Sequence, residues 1–208
     1  MELGVPDRHD RFMSPRNRFL ALFALFLGAC QGVPSSTAAP VLTDLPISYE
    51  PFTRVHVEWK ERMPQSYAFR EVVGDYRLTR AELNAFRLEA YRFGLQVAGP
   101  AFCLFYDDPG ETPIDQLRAR ICLPVHAGED RPGPWTFETL PRQTVVYAAV
   151  AGPHGKVPLT YSALFNFIAE HGWTPNGPIR ELYLADPQLD SRIKETLTEV
   201  QLPWAPAR

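Results

Sequence analysis

Two stretches of equal length, GLQVAGPAFCLFYDDP at residues 94–109 and GWTPNGPIRELYLADP at residues 172–187, align without a gap at an offset of 78 positions. Gly94 falls on Gly172, Gly99-Pro100 on Gly177-Pro178, Leu104 on Leu182 and Asp108-Pro109 on Asp186-Pro187. Upstream, the same offset places Gly74 on Gly152. Gly and Pro mark places where the backbone restricts the residue, so a shared register of such positions implies shared turns. Two copies at this spacing are too few and too long for a solenoid. They imply a single pseudo-symmetric domain of two similar halves.

Each half carries the same order of hydrophobic periods. In the first, residues 53–61 and 67–73 alternate as strands, and Gly74-Asp75 closes the second. Residues 79–93 place Leu83, Phe86, Ala90 and Phe93 at helical spacing. Thr79 opens T-R-A-E, a capping box with Glu82, and Gly94 stops the helix. Residues 101–106 and 118–125 are the closing strands. In the second half the strands are 135–140, 144–150, 179–184 and 195–202. The helix is 159–171, with Tyr161, Leu164, Phe165 and Ile168 on its apolar face. A β-β-α-β-β unit used twice implies an α+β fold: mainly antiparallel sheet with one main helix per half.

The chain has 208 residues, 45% apolar and 12% aromatic, enough for a real core. Its formal charge is −3, and no basic stripe is present to neutralise phosphates, so nucleic acid is not an expected partner. Arg16 and Arg18 precede an apolar run at residues 19–29, which is too short for a membrane-spanning helix of about 20 residues. A charged start, a short apolar run and small residues describe a signal peptide. The residues Leu27-Gly28-Ala29-Cys30 resemble the lipobox of bacterial lipoproteins, and that resemblance implies acylation of Cys30. Met13 offers an alternative start that gives a signal of more usual length. Gln31 after the cysteine implies, by resemblance to sorted lipoproteins, an outer-membrane location facing the periplasm. Residues 31–48 are rich in Pro, Ser, Ala and Thr and are expected to be a tether. The expected organisation is thus a signal at 1–30, a tether at 31–48 and a two-lobed domain at 49–208.

The stretch Phe105-Tyr106-Asp107-Asp108-Pro109-Gly110-Glu111-Thr112-Pro113, followed by Leu117-Arg118, resembles the gyrase-inhibitor-like (GyrI-like) family. Its domain also serves as the effector-binding domain of some multidrug-responsive transcription activators. Arg180-Glu181-Leu182-Tyr183-Leu184 and Val72-Val73-Gly74-Asp75-Tyr76 add weaker matches, and the resemblance covers about residues 50–204. Read from the residues, Asp108-Pro109-Gly110 is turn chemistry, and Thr112 is placed to cap a short helix with Pro113 at its first position. Asp107, Asp108, Glu111 and Asp115 lack the spacing of a calcium loop, and no metal or cofactor is expected.

Glu181 is the leading site candidate. Period two puts Ile179, Glu181 and Tyr183 on one strand face and Arg180, Leu182 and Leu184 on the other. A carboxylate beside a tyrosine in a partly dry pocket suits a cationic aromatic ligand, by charge neutralisation and cation–π contact. The resemblance implies that this acidic residue lies in a ligand pocket between the halves. Glu199, on the last strand, is the second candidate. The repeat makes Cys103 the counterpart of Glu181, so Cys103 and Phe105 are expected on the opposite wall, with Tyr147 as a further wall residue. Cys103 and Cys122 lie on strands that a hairpin would pair, which leaves a disulfide or two buried thiols open.

These residues frame three functions. The first is an envelope-anchored binding module for small amphipathic, cationic molecules, without the separate DNA-binding element of the family's regulators. The second is a hydrolase of electrophilic compounds, with Glu181 and Glu199 as an acid–base pair. The third is an interaction lipoprotein with a vestigial pocket.

Overall fold

The computed structural model describes residues 46–128, 131–186 and 195–207. The signal, Cys30 and nearly all of the expected tether lie outside these residues.

The strands are β1 (Ser48–Tyr49), β2 (Glu58–Arg62), β3 (Gln65–Val73), β4 (Phe102–Phe105), β5 (Arg118–Pro124), β6 (Thr136–Leu140), β7 (Gln143–Ala151), β8 (Trp173–Pro175), β9 (Ile179–Ala185) and β10 (Leu197–Pro206). The helices are α1 (Thr79–Arg92) and α2 (Tyr161–Glu170). The fold is α+β, with a mostly antiparallel sheet and one main helix per half, as expected. The main path through the sheet is β1-β7-β10-β9-β4-β5-β3-β6, with β2 also on β7 and β8 on β10.

The duplication is exact in the first two strands of each half. The bounds of β2 and β3 recur in β6 and β7 at the offset of 78. The two copies exchange partners: β2 pairs with β7, and β3 pairs with β6. One register runs from Glu58↔Tyr147 through Arg62↔Gln143 and on from Gln65↔Leu140 to Phe69↔Thr136. The two strand pairs therefore form a single ribbon, broken at Met63-Pro64 and at Pro141-Arg142. Proline lacks the N–H that would continue the ladder, so the ribbon turns a corner there. This corner links the two ends of the sheet and turns its second face inward.

One face packs beneath the helices. Leu83, Phe86 and Ala90 of α1 meet Ala68, Cys103, Ile121 and Leu123. Leu164 and Ile168 of α2 meet Val146, Ala148, Val200 and Leu202. The other face carries Tyr67, Phe69, Phe102, Leu104 and Cys122, packed together without a helix. Complete burial of apolar side chains of this size stabilises by roughly 1.5–3 kcal/mol each.

Several local expectations need correction. Thr79 does not form a capping box. A 3₁₀ turn, Tyr76–Leu78, precedes α1, and Asp75 caps it by accepting from the Arg77 N–H at 2.9 Å. The Thr79 hydroxyl instead donates to the Tyr76 carbonyl at 2.7 Å. Thr112 likewise makes no cap to the 3₁₀ turn Ile114–Gln116. The expected helix at 159–171 begins as a 3₁₀ segment, His154–Thr160, and becomes α-helical only at Tyr161. Strand 53–61 is regular only from Glu58, because Val55 and Val57 turn in to pack against the α2 cluster. The turn glycines behave as the repeat requires: Gly74 and Gly152 have φ of 124° and 146°, and Gly94 and Gly172 have 77° and 68°.

Candidate functional site

In β9, the central strand of the second half, both faces are covered. Arg180 is 1% exposed and Glu181 is 4% exposed. The alternation expected from the sequence holds: Tyr183 and Glu181 share the helix-covered face, and Leu182 packs with the inward cluster.

Glu181 is held by two phenols. The Tyr161 hydroxyl donates to Oε1 at 2.6 Å, and the Tyr183 hydroxyl donates to Oε2 at 3.0 Å. Burial raises the Glu181 carboxyl above its ordinary range, opposed by these two hydrogen bonds and by the charge of Arg80. Among the described residues, no ion pair is formed to Glu181. Arg80, from α1, sits with its guanidinium 4.5 Å from the Tyr183 ring centroid and is ion-paired with Asp186. His154 meets the Tyr183 ring edge-on at 5.0 Å. Burial first, and Arg80 second, push the His154 imidazole down to about 4.

Cys103 pairs in register with Glu181, and Phe105 with Ile179, so the first half supplies the neighbouring strand of the same sheet and not an opposite wall. Burial pushes the Cys103 thiol up to about 12, which makes it an unreactive core residue. The repeat explains the site's asymmetry. Glu181, Tyr183, Tyr161 and His154 stand where the first half has Cys103, Phe105, Leu83 and Tyr76. Even the edge-on ring contact recurs, as Tyr76 against Phe105 at 4.8 Å. One copy of the same geometry is largely apolar, and the other has become polar.

Glu199 and Tyr147 belong elsewhere. Glu199 is opposite Leu182, whereas Glu181 is opposite Val200. Directly opposed residues share a face, so the two carboxylates lie on opposite faces of the sheet. Glu199 is ion-paired with Lys60 at 2.8 Å and accepts from Gln201 Nε2 at 2.6 Å. Tyr147 lies in register with Gln201, on the same inward face, under the Lys60 ammonium at 4.0 Å from its ring centroid. The expected acid–base pair of Glu181 and Glu199 is therefore not assembled. Cys103 and Cys122 are both buried free thiols: Cys122 opposes Phe102 rather than Cys103, which sends the two sulfurs to opposite faces. The carboxylates at 107 and 108 are spent on structure, Asp107 on Arg118 at 2.7 Å and Asp108 on the Gly110 N–H at 2.7 Å.

Four members of the polar cluster were not singled out from the sequence as site residues: Tyr161, Arg80, His154 and Asp186. Tyr161 had a readable signal, since helical spacing put it on the sheet-facing side of α2. Asp186 had another, since it is the repeated Asp of the Asp-Pro pair. Arg80 and His154 had none.

Tyr161, Leu164, Phe165, Ile179, Val200 and Leu202 line an apolar seam between α2 and the sheet that is too tight to admit a water molecule. A larger open notch of about 560 Å³ lies where β6 stops alongside β3, between Trp135, Phe69 and paired charges. Arg120 in that notch is already ion-paired with Glu71 and Glu138.

Residues 57–205 match the GyrI-like small-molecule-binding domain family, and the chain belongs to that family. Among solved structures, the C-terminal domain of EcmrR is similar at 20% identity and a TM-score of 0.64, covering 74% of this chain and 99% of that one. EcmrR in a complex with DNA is similar at 20% identity and a TM-score of 0.65, over 76% of this chain and 60% of that one. A hydrolase from Listeria innocua shares 11% identity at a TM-score of 0.51, over 77% of this chain and all of that one. At these identities the likeness is one of fold. No curated protein sequence matches the chain.

Proposed function

We propose that this small-molecule-binding domain takes up amphipathic, cationic aromatic molecules at Glu181, between its two halves, and that the chain is exported and held at a membrane through lipid on Cys30. One observation carries the ligand class: a buried carboxylate whose partners are phenols rather than a cation. Arg80 is ion-paired with Asp186, which leaves Glu181 a carboxylate without an ion pair among the described residues. The Tyr161 and Tyr183 hydroxyls meet the carboxylate, and a cation that displaces one of them gains charge neutralisation beside an aromatic ring. In the free protein the Tyr161 hydroxyl holds the place of that cation. Entry therefore requires the first turn of α2 to move outward, away from the sheet.

The test is a thermal-shift titration with a quaternary naphthylmethylammonium ion and its uncharged isostere. The cation alone should raise the melting temperature, by mass action, and Glu181→Gln should abolish the rise. Equal shifts from cation and isostere, or a shift that survives in Glu181→Gln, would overturn charge recognition. No shift with either compound favours an interaction protein with a vestigial pocket. Anchoring is tested separately. Cys30→Ser should abolish palmitate incorporation and move the protein from the membrane fraction to the soluble one.

A further inference from the structure

His154, like neighbouring Arg80, is a group beside Tyr183 whose shielded polar atoms have no hydrogen-bond partner among the described residues. It opens the 3₁₀ segment His154–Thr160 that leads into α2, and its ring lies against Tyr183, whose hydroxyl is on Glu181. Both ring nitrogens are shielded from solvent, and neither has a hydrogen-bond partner among the described residues. A neutral imidazole offers one N–H donor and one lone-pair acceptor, and leaving both buried and unmet is unfavourable. The first-half counterpart shows the alternative. Tyr76 makes the same edge-on contact but spends its hydroxyl on the backbone, donating to the Arg118 carbonyl at 2.8 Å and accepting from the Asp107 N–H at 3.0 Å. Arg80 does not serve His154: its guanidinium is ion-paired with Asp186, and none of its nitrogens has a hydrogen-bond partner among the described residues.

We infer that His154 is a specificity residue that accepts a hydrogen bond from the ligand's ammonium group, so that the site selects aromatic amines carrying an N–H over quaternary cations of the same shape. This rests on the cation-binding reading of Glu181 and narrows it. A protonated amine can give its N–H to the imidazole lone pair while its charge faces the carboxylate. A quaternary cation satisfies Glu181 alone and leaves the imidazole unmet. The low proton affinity of His154 keeps it a neutral acceptor at physiological pH, so it does not repel the incoming cation.

The experiment compares N,N-dimethyl-naphthylmethylammonium with its N,N,N-trimethyl analogue by calorimetry, at a pH where the tertiary amine is protonated. The tertiary amine should bind about tenfold tighter, the size of effect expected for one hydrogen bond to a charged group. His154→Phe keeps an aromatic edge against Tyr183 but offers no acceptor, and the affinity ratio should collapse toward one. His154→Gln restores an acceptor and should recover part of the ratio. Equal affinities in the unaltered protein, or a ratio that persists in His154→Phe, overturn the assignment while the Glu181 reading stands. If neither cation binds, both readings fall.

Discussion

Arg180 and Glu181 are neighbours in the chain, nearly equal in burial, and belong to opposite faces of one strand. The two faces accommodate a buried charge in different ways. On the inward face, Arg180 lies 3.9 Å from the Phe102 ring centroid, hydrogen-bonds Gln65, and faces Arg62, itself bonded to Gln143 at 3.1 Å. Every one of these partners is on a strand of the same sheet. Burial, then the charge of Arg62, pushes the Arg180 guanidinium down to about 9. On the outward face, half of the Glu181 coordination comes from Tyr161, on a helix that is laid over the sheet and entered through a 3₁₀ segment. A charge locked by strand partners can be lost only by disrupting the sheet. A charge capped by a helix residue can be uncovered by moving that helix. The inward face therefore reads as architecture and the outward face as a site.

The largest test of this contrast is stability. Arg180→Ala should cost about 3 kcal/mol, because it leaves a void against Phe102 inside a ribbon that cannot collapse onto it. Glu181→Gln should cost less than about 1 kcal/mol, since it keeps the shape and removes a buried charge. Urea denaturation checks both, and comparable losses would erase the distinction.

Opening comes next. Tyr161→Phe removes one hydroxyl from Glu181 and should lower stability by about 1 kcal/mol. If Tyr161 is the closure, the same change should tighten cation binding, by up to about tenfold, because less of the binding energy is spent on opening. Weaker binding would make Tyr161 part of the ligand contact rather than its gate.

The pH dependence has a defined sign. Glu181 has a raised proton affinity when folded, so its contribution to stability is present below the ordinary carboxylate range and is lost as pH rises through its folded value. The His154 proton affinity is depressed, so its contribution is present above the ordinary histidine range and is lost as pH falls toward about 4. The difference in unfolding free energy between the parent and Glu181→Gln should therefore shift against the parent as pH rises. Cation-induced thermal shifts should grow over the same window. A flat difference would mean that Glu181 titrates as an exposed carboxylate.

The smallest effect is chemical. Cys103 is on the outward face and Cys122 on the inward one, both buried. Cation binding that opens α2 should speed alkylation of Cys103 modestly and leave Cys122 unchanged, read by mass spectrometry. Equal acceleration would mean that the sheet itself opens.

Much of the site was legible residue by residue. Alternation placed Glu181 with Tyr183 and away from Arg180, and the repeat placed Cys103 across from Glu181. Glu199 was misassigned for a physical reason. Period two sorts residues within a strand, but which face of one strand continues which face of another depends on pairing register. The capping box failed because Asp75, four residues earlier, competes for the helix entry and starts a 3₁₀ turn.

The amino-acid sequence by itself determined the duplication, its turns at Gly74 and Gly152 and at Gly94 and Gly172, and the strand face on which each residue of β9 lies, because these follow from local backbone geometry and short periods. Only the tertiary structure decided that the two copies exchange strands, that the sheet turns inward, and that Tyr161, Arg80, His154 and Asp186 gather around Glu181. Those facts depend on contacts between residues far apart in the chain, and no local period encodes such distances.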